Sequence, residues 1–284
     1  MEKRVCHHKN EDIEPKRANV VHHDVEAEIS ELCHPEVSSF YEKCKLIENL
    51  AYIAERSRSR NLCVDIGCGT GFVTSLELST YKTVVALDIS RRMLDVARRR
   101  LGQYPSLNLV VCDAEFLPLT PEIADLASIS SVLHHLPNTS VALTEASEVL
   151  KKQGFLYLTR EPNFQRFRRF FDYFDQIIAK KIAHILCHLL VAKSKISGPS
   201  VPSKGLNYTV VDIHYPTGFD TAVLTRFLQS RSLEILIVYS YHWIFPESGF
   251  GLLQQLQMRS NFIVKKMPLA KKFGRYVTAI ARRN

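Results

Sequence analysis

The feature that most constrains the fold of this chain is an apolar run, residues 62–66, that stops at three closely spaced glycines, Gly67, Gly69 and Gly71. The run predicts a buried strand, and the glycines predict a sharp turn whose backbone can approach a ligand closely. Strand-turn-helix corners of this kind bind nucleotides in open α/β sheets. The dinucleotide fingerprint G-x-G-x-x-G needs a third glycine where this chain has Phe72, which disfavours a nicotinamide dinucleotide.

Further apolar segments alternate with helical patterns, and this alternation predicts a parallel sheet with right-handed crossovers. We expect the later strands at 83–88, 107–112, 124–129, 154–160, 233–240 and 276–281. Ser90 and Gly102 flank the helix expected at 91–101, as an N-cap and a C-terminal stop.

Polar side chains stand where three of these strands end. Asp88 closes the second strand, Asp113 follows the third, and Ser130 and Ser131 follow the fourth. Parallel strands end at one edge of the sheet, so these side chains are expected to converge, and a carboxylate about 20 residues beyond the glycines suits the hydroxyls of a ribose. The alternative interpretation is that the acids only cap helices or form turns, a common role for Asp.

Together these landmarks resemble the class I S-adenosylmethionine-dependent methyltransferases, and within them the type 11, UbiE-like group that acts on small molecules. The similarity covers residues 22–165 well and the remainder loosely. It implies a Rossmann-like three-layer sandwich with a seven-stranded, mostly parallel sheet, an antiparallel final strand, N-terminal helices and helical insertions. It also implies S-adenosyl-L-methionine as the cofactor.

The resemblance assigns roles to individual residues. The implied cofactor-binding set is Asp65, Gly67, Cys68, Gly69, Gly71, Asp88, Ile89, Asp113, Ala114, Ser130 and Ser131. His134 is a candidate general base because histidine titrates near neutral pH, and the alternative is that the pair with His135 is a structural start to the next helix. Tyr41 is a candidate lid over the cofactor, with packing of its helix on the sheet as the alternative. We expect no metal site, since the N-terminal histidines and cysteines form no C-x-x-C or H-x₃-H pair.

The chain divides into five segments by composition. We expect a disordered tail at 1–20, cover helices at 21–60, the cofactor-binding core at 61–162, a helical insertion at 163–218, and the end of the fold with a basic insertion at 219–284. Pro35 should interrupt the helical pattern over 24–55.

Composition bounds the environment and the partners. Seven irregularly placed cysteines indicate a reducing compartment, and the absence of an apolar leader or a long apolar run predicts a cytoplasmic protein, with peripheral attachment to a membrane left open. The net charge is +8, and the two insertions are basic and partly aromatic. An anionic membrane surface is therefore one expected partner, nucleic acid is less favoured, and no obligate protein partner is expected.

Two absences narrow the chemistry. An N/D-P-P-Y sequence, typical of amide and adenine-N6 methyltransferases, does not follow the fourth strand, and no Pro-Cys pair supports attack on cytosine. The sequence favours methyl transfer to a small-molecule or lipid-like acceptor. An RNA or protein methyltransferase and a non-catalytic cofactor-binding scaffold stay open as alternatives.

Overall fold

The computed structural model describes residues 10–30, 40–164, 213–214, 217–241 and 274–284. The helices in these residues are α1 (Asn10–Glu26), α2 (Phe40–Arg56), α3 (Phe72–Glu77), α4 (Arg91–Leu101), α5 (Thr139–Glu148) and α6 (Thr221–Ser230). The strands are β1 (Leu62–Ile66), β2 (Thr83–Asp88), β3 (Leu107–Val111), β4 (Ala124–Ser130), β5 (Leu150–Pro162), β6 (Leu233–Tyr241) and β7 (Tyr276–Arg283).

The described strands form one seven-stranded sheet in the order β3-β2-β1-β4-β5-β7-β6. β1 pairs in parallel with β2 and β4, and β7 lies antiparallel between β5 and β6. The sequence-based prediction of a mostly parallel sheet with an antiparallel final strand is therefore confirmed. Strand β4 is buried along almost its whole length, as expected for a central parallel strand covered on both faces.

Apolar packing on the two faces of the sheet holds the helices in place. On one face, Leu143 of α5 and Leu224 of α6 pack in a single cluster with sheet residues. A second cluster brings Leu46 and Ile53 of α2 against other strand residues. This arrangement gives the predicted three layers and leaves the carboxyl ends of the parallel strands at one edge.

The N-terminal region differs from the sequence prediction. Helix α1 begins at Asn10, so the expectation of a disordered tail over 1–20 is wrong for residues 10–20. Composition alone missed this helix because its stability comes from long-range contacts: Lys16 and Asn19 bond to residues about a hundred positions away. The break that Pro35 should introduce into the helical pattern lies outside the described residues.

The two expected insertions lie mostly outside the described residues, which omit 165–212 and 242–273. Helix α4 matches its predicted bounds, and Ser90 caps it by accepting a hydrogen bond from the Met93 N–H at 3.1 Å. Strand β5 begins at Leu150, four residues earlier than expected, because Leu150 already pairs with Ala124 of β4. No helix in the described part of the chain is long and apolar enough to cross a bilayer.

Candidate functional site

A cavity of about 420 Å³ lies between helix α1 and the carboxyl ends of strands β1 to β4. It sits where the sheet order reverses between β1 and β4, the position at which open α/β sheets bind ligands. Its volume falls within the range of about 300–1,000 Å³ that is usual for small-molecule sites. Ten of the eleven predicted cofactor-binding residues line it, the exception being Gly71.

The glycine loop has the backbone conformation that the sequence predicted. Gly67, Gly69 and Gly71 have φ angles of 72°, 54° and 86°, in the left-handed region that favours glycine. A Cβ atom on Gly67 would overlap the side chain of Val132, and one on Gly71 would lie 2.7 Å from Leu101 Cδ1. A Cβ on Gly69 would meet nothing within 4 Å. Gly71 therefore serves helix packing, while Gly69 faces open space.

Asp65 fixes the loop to helix α3. Its buried carboxylate accepts a hydrogen bond from Thr74 Oγ1 at 2.6 Å, and Ser128 Oγ lies at 3.4 Å. Burial raises the pKa of Asp65 to about 6, although the bonds from Thr74 and Ser128 oppose that rise. These contacts hold the end of β1 against helix α3.

Asp88 holds two backbone groups at the end of β2. Its Oδ2 accepts from the Gly69 N–H and its Oδ1 from the Ser90 N–H, each at 2.8 Å. Burial raises the pKa of Asp88, and these two N–H donors oppose the rise. A carboxylate offers about four lone-pair positions, so Asp88 retains the capacity to accept two ribose hydroxyls. Ile89, the next residue, also lines the cavity.

Asp113 forms an ion pair with Lys16 of helix α1. Its Oδ1 accepts from the Glu115 N–H at 2.9 Å, and its Oδ2 pairs with Lys16 Nζ at 2.7 Å. Lys16 also pairs with Glu115 Oε2 at 2.7 Å. Burial would lower the pKa of Lys16, but hydrogen bonds to the two acids outweigh it and raise the pKa. Sequence reasoning missed Lys16, because nothing local connects it to Asp113.

Ser130 ends β4, Ser131 and His134 follow it, and all three line the cavity. Ser131 has a φ of 61°, and its N–H donates to the Thr159 carbonyl at 3.1 Å. His134 Nδ1 lies 2.9 Å from Glu161 Oε2, and both side chains are buried. Glu161 was not predicted; it follows Arg160 near the end of β5, and no motif in the sequence connects it to His134.

Histidines from α1 meet those after β4 across the cavity. The rings of His23 and His135 lie 5.0 Å apart, and those of His134 and His135 lie 4.0 Å apart. Burial, with smaller contributions from His135 and His22, lowers the pKa of His23 to about 3. His23 is therefore neutral at physiological pH.

One group of potential metal ligands lies on α1. Ligand atoms of His22, His23 and Glu26 lie within 4.8 Å of one another, and His22 Nε2 is 3.2 Å from Glu26 Oε2. The spacing of His22 and Glu26 is H-x-x-x-E, which is neither a C-x-x-C nor an H-x₃-H pair. The expectation that no metal binds stays a prediction.

Tyr41 does not line the cavity. Its side chain is 1% exposed and packs in a cluster with Tyr241 and Tyr276. The structure therefore favours the packing alternative for Tyr41, and α1, not α2, covers the cavity. Cys68 lines the cavity, but burial raises the pKa of its thiol well above the usual value, so it is not a thiolate nucleophile.

The strand order and the position of the cavity at the carboxyl ends of the parallel strands are those of a Rossmann-like three-layer sandwich. Residues 64–158 match the family model described as "Methyltransferase domain". A solved structure of an S-adenosylmethionine-dependent methyltransferase from Mesorhizobium loti covers 87% of this chain and 100% of its own, with a TM-score of 0.52 and 15% identity. This likeness extends the shared fold beyond the matched domain.

Two curated relatives match the core of the chain. The biotin biosynthesis bifunctional protein BioHC of Cellvibrio japonicus is 37% identical over 107 residues, which are 37% of this chain and 20% of that protein. The demethylmenaquinone methyltransferase of Symbiobacterium thermophilum is 32% identical over 114 residues, 38% of this chain and 45% of its own length. The chain thus spans less than half the length of these two relatives.

Proposed function

We propose that this protein is an S-adenosyl-L-methionine-dependent methyltransferase that acts on a small-molecule or lipid-like acceptor. The observation that carries the proposal is the convergence of the glycine loop, Asp88, Asp113 and Ser130 on one cavity at the switch point of the sheet. The residues fit the cofactor, since Gly69 leaves open space for it and Asp88 has acceptor capacity for a ribose diol.

Each part of the cavity has a distinct task in this proposal. Asp88 orients the ribose, Ile89 covers one face of the adenine, and Asp113 with Ala114 meets the adenine edge. The bound cofactor supplies an activated methyl group on a good leaving group. The protein therefore contributes mainly by positioning the acceptor and excluding water.

The class of acceptor follows from the relatives' names and from the enclosed site. One matched relative is a demethylmenaquinone methyltransferase and the other a biotin biosynthesis protein, which supports a small molecule. Helix α1 closes one side of the cavity with Lys16, Asn19 and His23, which favours a compact acceptor over a folded macromolecule.

Calorimetry with S-adenosylhomocysteine, the product form of the cofactor, tests the proposal first. Saturable one-to-one binding is expected, and no binding would favour a non-catalytic scaffold. Incubation of the protein with methyl-labelled cofactor and a cell extract then identifies the acceptor class. Label in small molecules or lipids supports the proposal, whereas label confined to RNA or protein would overturn the acceptor assignment.

A further inference from the structure

Glu161 and His134 form a buried pair at the wall of the cavity, and among the described residues four polar contacts of the Glu161 carboxylate come from one short segment, residues 132–134. Oε1 accepts from the Val132 N–H at 2.7 Å and the Leu133 N–H at 2.9 Å. Oε2 accepts from the His134 N–H at 3.2 Å and faces His134 Nδ1 at 2.9 Å. The side chains of Glu161 and His134 are 2% and 7% exposed.

These contacts determine which ring nitrogen carries the proton. Burial would raise the pKa of Glu161, but His134 and the backbone donors outweigh it and lower the pKa below its usual range. Glu161 is therefore ionised and can only accept hydrogen bonds. In a neutral imidazole, Nδ1 must then be the protonated nitrogen and Nε2 the acceptor.

We propose that Glu161 is a positioning residue that holds His134 in the Nδ1–H tautomer, so that His134 Nε2 takes the proton of an acceptor hydroxyl. This inference rests on the proposed function and narrows its acceptor to a molecule with an ionisable hydroxyl group. As the oxygen–methyl bond forms and the sulfur–methyl bond breaks, the hydroxyl proton moves to Nε2 and the sulfur keeps its bonding electron pair. The resulting imidazolium is paired with the Glu161 carboxylate.

The surroundings of the pair suit this acceptor. His134 lines the cavity beside Ser130 and Ser131, where the methyl group of the cofactor is expected. Arg160, which directly precedes Glu161, lines the same cavity and is 7% exposed. A cation beside the acceptor favours an oxygen that gains negative charge as its proton leaves. An acceptor without a removable proton, such as a thioether, needs neither group.

Nitrogen NMR on ¹⁵N-histidine-labelled protein tests the tautomer without any activity measurement. In the neutral ring, we expect His134 to show a protonated Nδ1 and an unprotonated Nε2. The spectrum of His134→Gln assigns the resonances, and His135 serves as the neighbouring reference. An Nε2–H tautomer or a doubly protonated ring at His134 would overturn the proposal.

Glu161→Gln tests the positioning role more directly than a variant that removes the contact between residue 161 and His134. The amide oxygen of Gln can keep the Val132 and Leu133 N–H bonds, which places its NH₂ group against His134 Nδ1. Because that group donates, the favoured tautomer should reverse to Nε2–H. A folded Glu161→Gln protein that retains the Nδ1–H tautomer would contradict the positioning role. If this variant does not fold, the tautomer of His134 in the unsubstituted protein decides whether the proposal holds.

Methyl transfer from labelled cofactor to a small-molecule extract gives the second readout. For His134→Gln we expect labelling to fall by about 10²–10⁴-fold, the usual contribution of a general base. Affinity for S-adenosylhomocysteine should stay within about threefold, equivalent to well under 1 kcal/mol. The labelled product should carry the methyl group on an oxygen.

The outcomes separate the two proposals. Failure of the unsubstituted protein to bind the product or to label any molecule would refute the proposed function itself. Binding and labelling with the wrong tautomer, or a product methylated on an atom that had no proton to lose, would refute only the role of Glu161 and His134.

Discussion

Replacement of Asp88 by asparagine separates a structural from a ligand-binding role of this carboxylate. In the structure, each carboxylate oxygen accepts one backbone N–H at 2.8 Å. Asn keeps one acceptor and turns an NH₂ group toward the other N–H. Since a hydrogen bond to a charged group contributes about 1.5–3 kcal/mol, the free energy of unfolding should fall by about 2 kcal/mol. A domain with a typical stability of about 5–15 kcal/mol stays folded.

The same substitution should weaken binding of S-adenosylhomocysteine more than its effect on stability explains. Two ribose hydroxyls lose a charged acceptor, which corresponds to about 10–100-fold weaker binding. Calorimetry measures the affinity, and urea unfolding measures the stability of the same preparation.

Asp125 offers a matched control for this experiment. It is also a buried carboxylate that accepts two backbone N–H groups, from Asn61 at 2.7 Å and Leu62 at 2.9 Å. It does not line the cavity, so Asp125→Asn should reduce stability and leave the affinity unchanged. Equal affinities for Asp88→Asn and the unsubstituted protein, or an equal loss of affinity in Asp125→Asn, would refute the placement of the ribose.

Three further predictions concern the loop, a buried acid and metal dependence. Gly67→Ala should cost about 2–5 kcal/mol, from left-handed strain and overlap with Val132, whereas Gly69→Ala should cost about 1–2 kcal/mol from strain alone; equal urea midpoints would contradict this. Burial raises the pKa of Glu77 well above its usual value, so its contribution to stability is lost as pH rises from about 4.5. The stability of Glu77→Gln relative to the unsubstituted protein should therefore increase between about pH 5 and pH 8, and a constant or decreasing difference in urea unfolding would argue against a buried, strained carboxylate. Finally, treatment with a chelator should leave S-adenosylhomocysteine affinity unchanged, and a loss restored by added zinc would show that the α1 histidines bind a metal.

The sequence predicted those cavity-lining residues that a local signal marks. The glycines follow directly on an apolar run, and Asp88 and Asp113 each stand at the end of one. Parallel strands bring such positions to one edge by topology alone. The cavity accordingly contains all the predicted strand-end residues.

The residues that sequence missed are fixed by contacts between distant elements. Glu161 contacts His134, which is 27 positions away in the sequence, and Lys16 contacts Asp113, which is 97 positions away. Neither contact leaves a periodic or motif signal. Tyr41 was a candidate for the lid because it lies in the N-terminal cover helices. In the structure it is buried in a cluster with Tyr241, which is 200 positions later in the sequence.

The fastening of helix α1 has a consequence for how quickly ligands are exchanged. Lys16 donates to the carboxylates of Asp113 and Glu115. Asn19 Nδ2 donates to the His135 carbonyl at 2.8 Å, and Ser90 Oγ donates to Asp24 at 2.6 Å. A ligand that leaves the cavity past this helix has to break these hydrogen bonds first. Under the proposed function, we expect the opening of helix α1 to limit how fast the spent cofactor is exchanged.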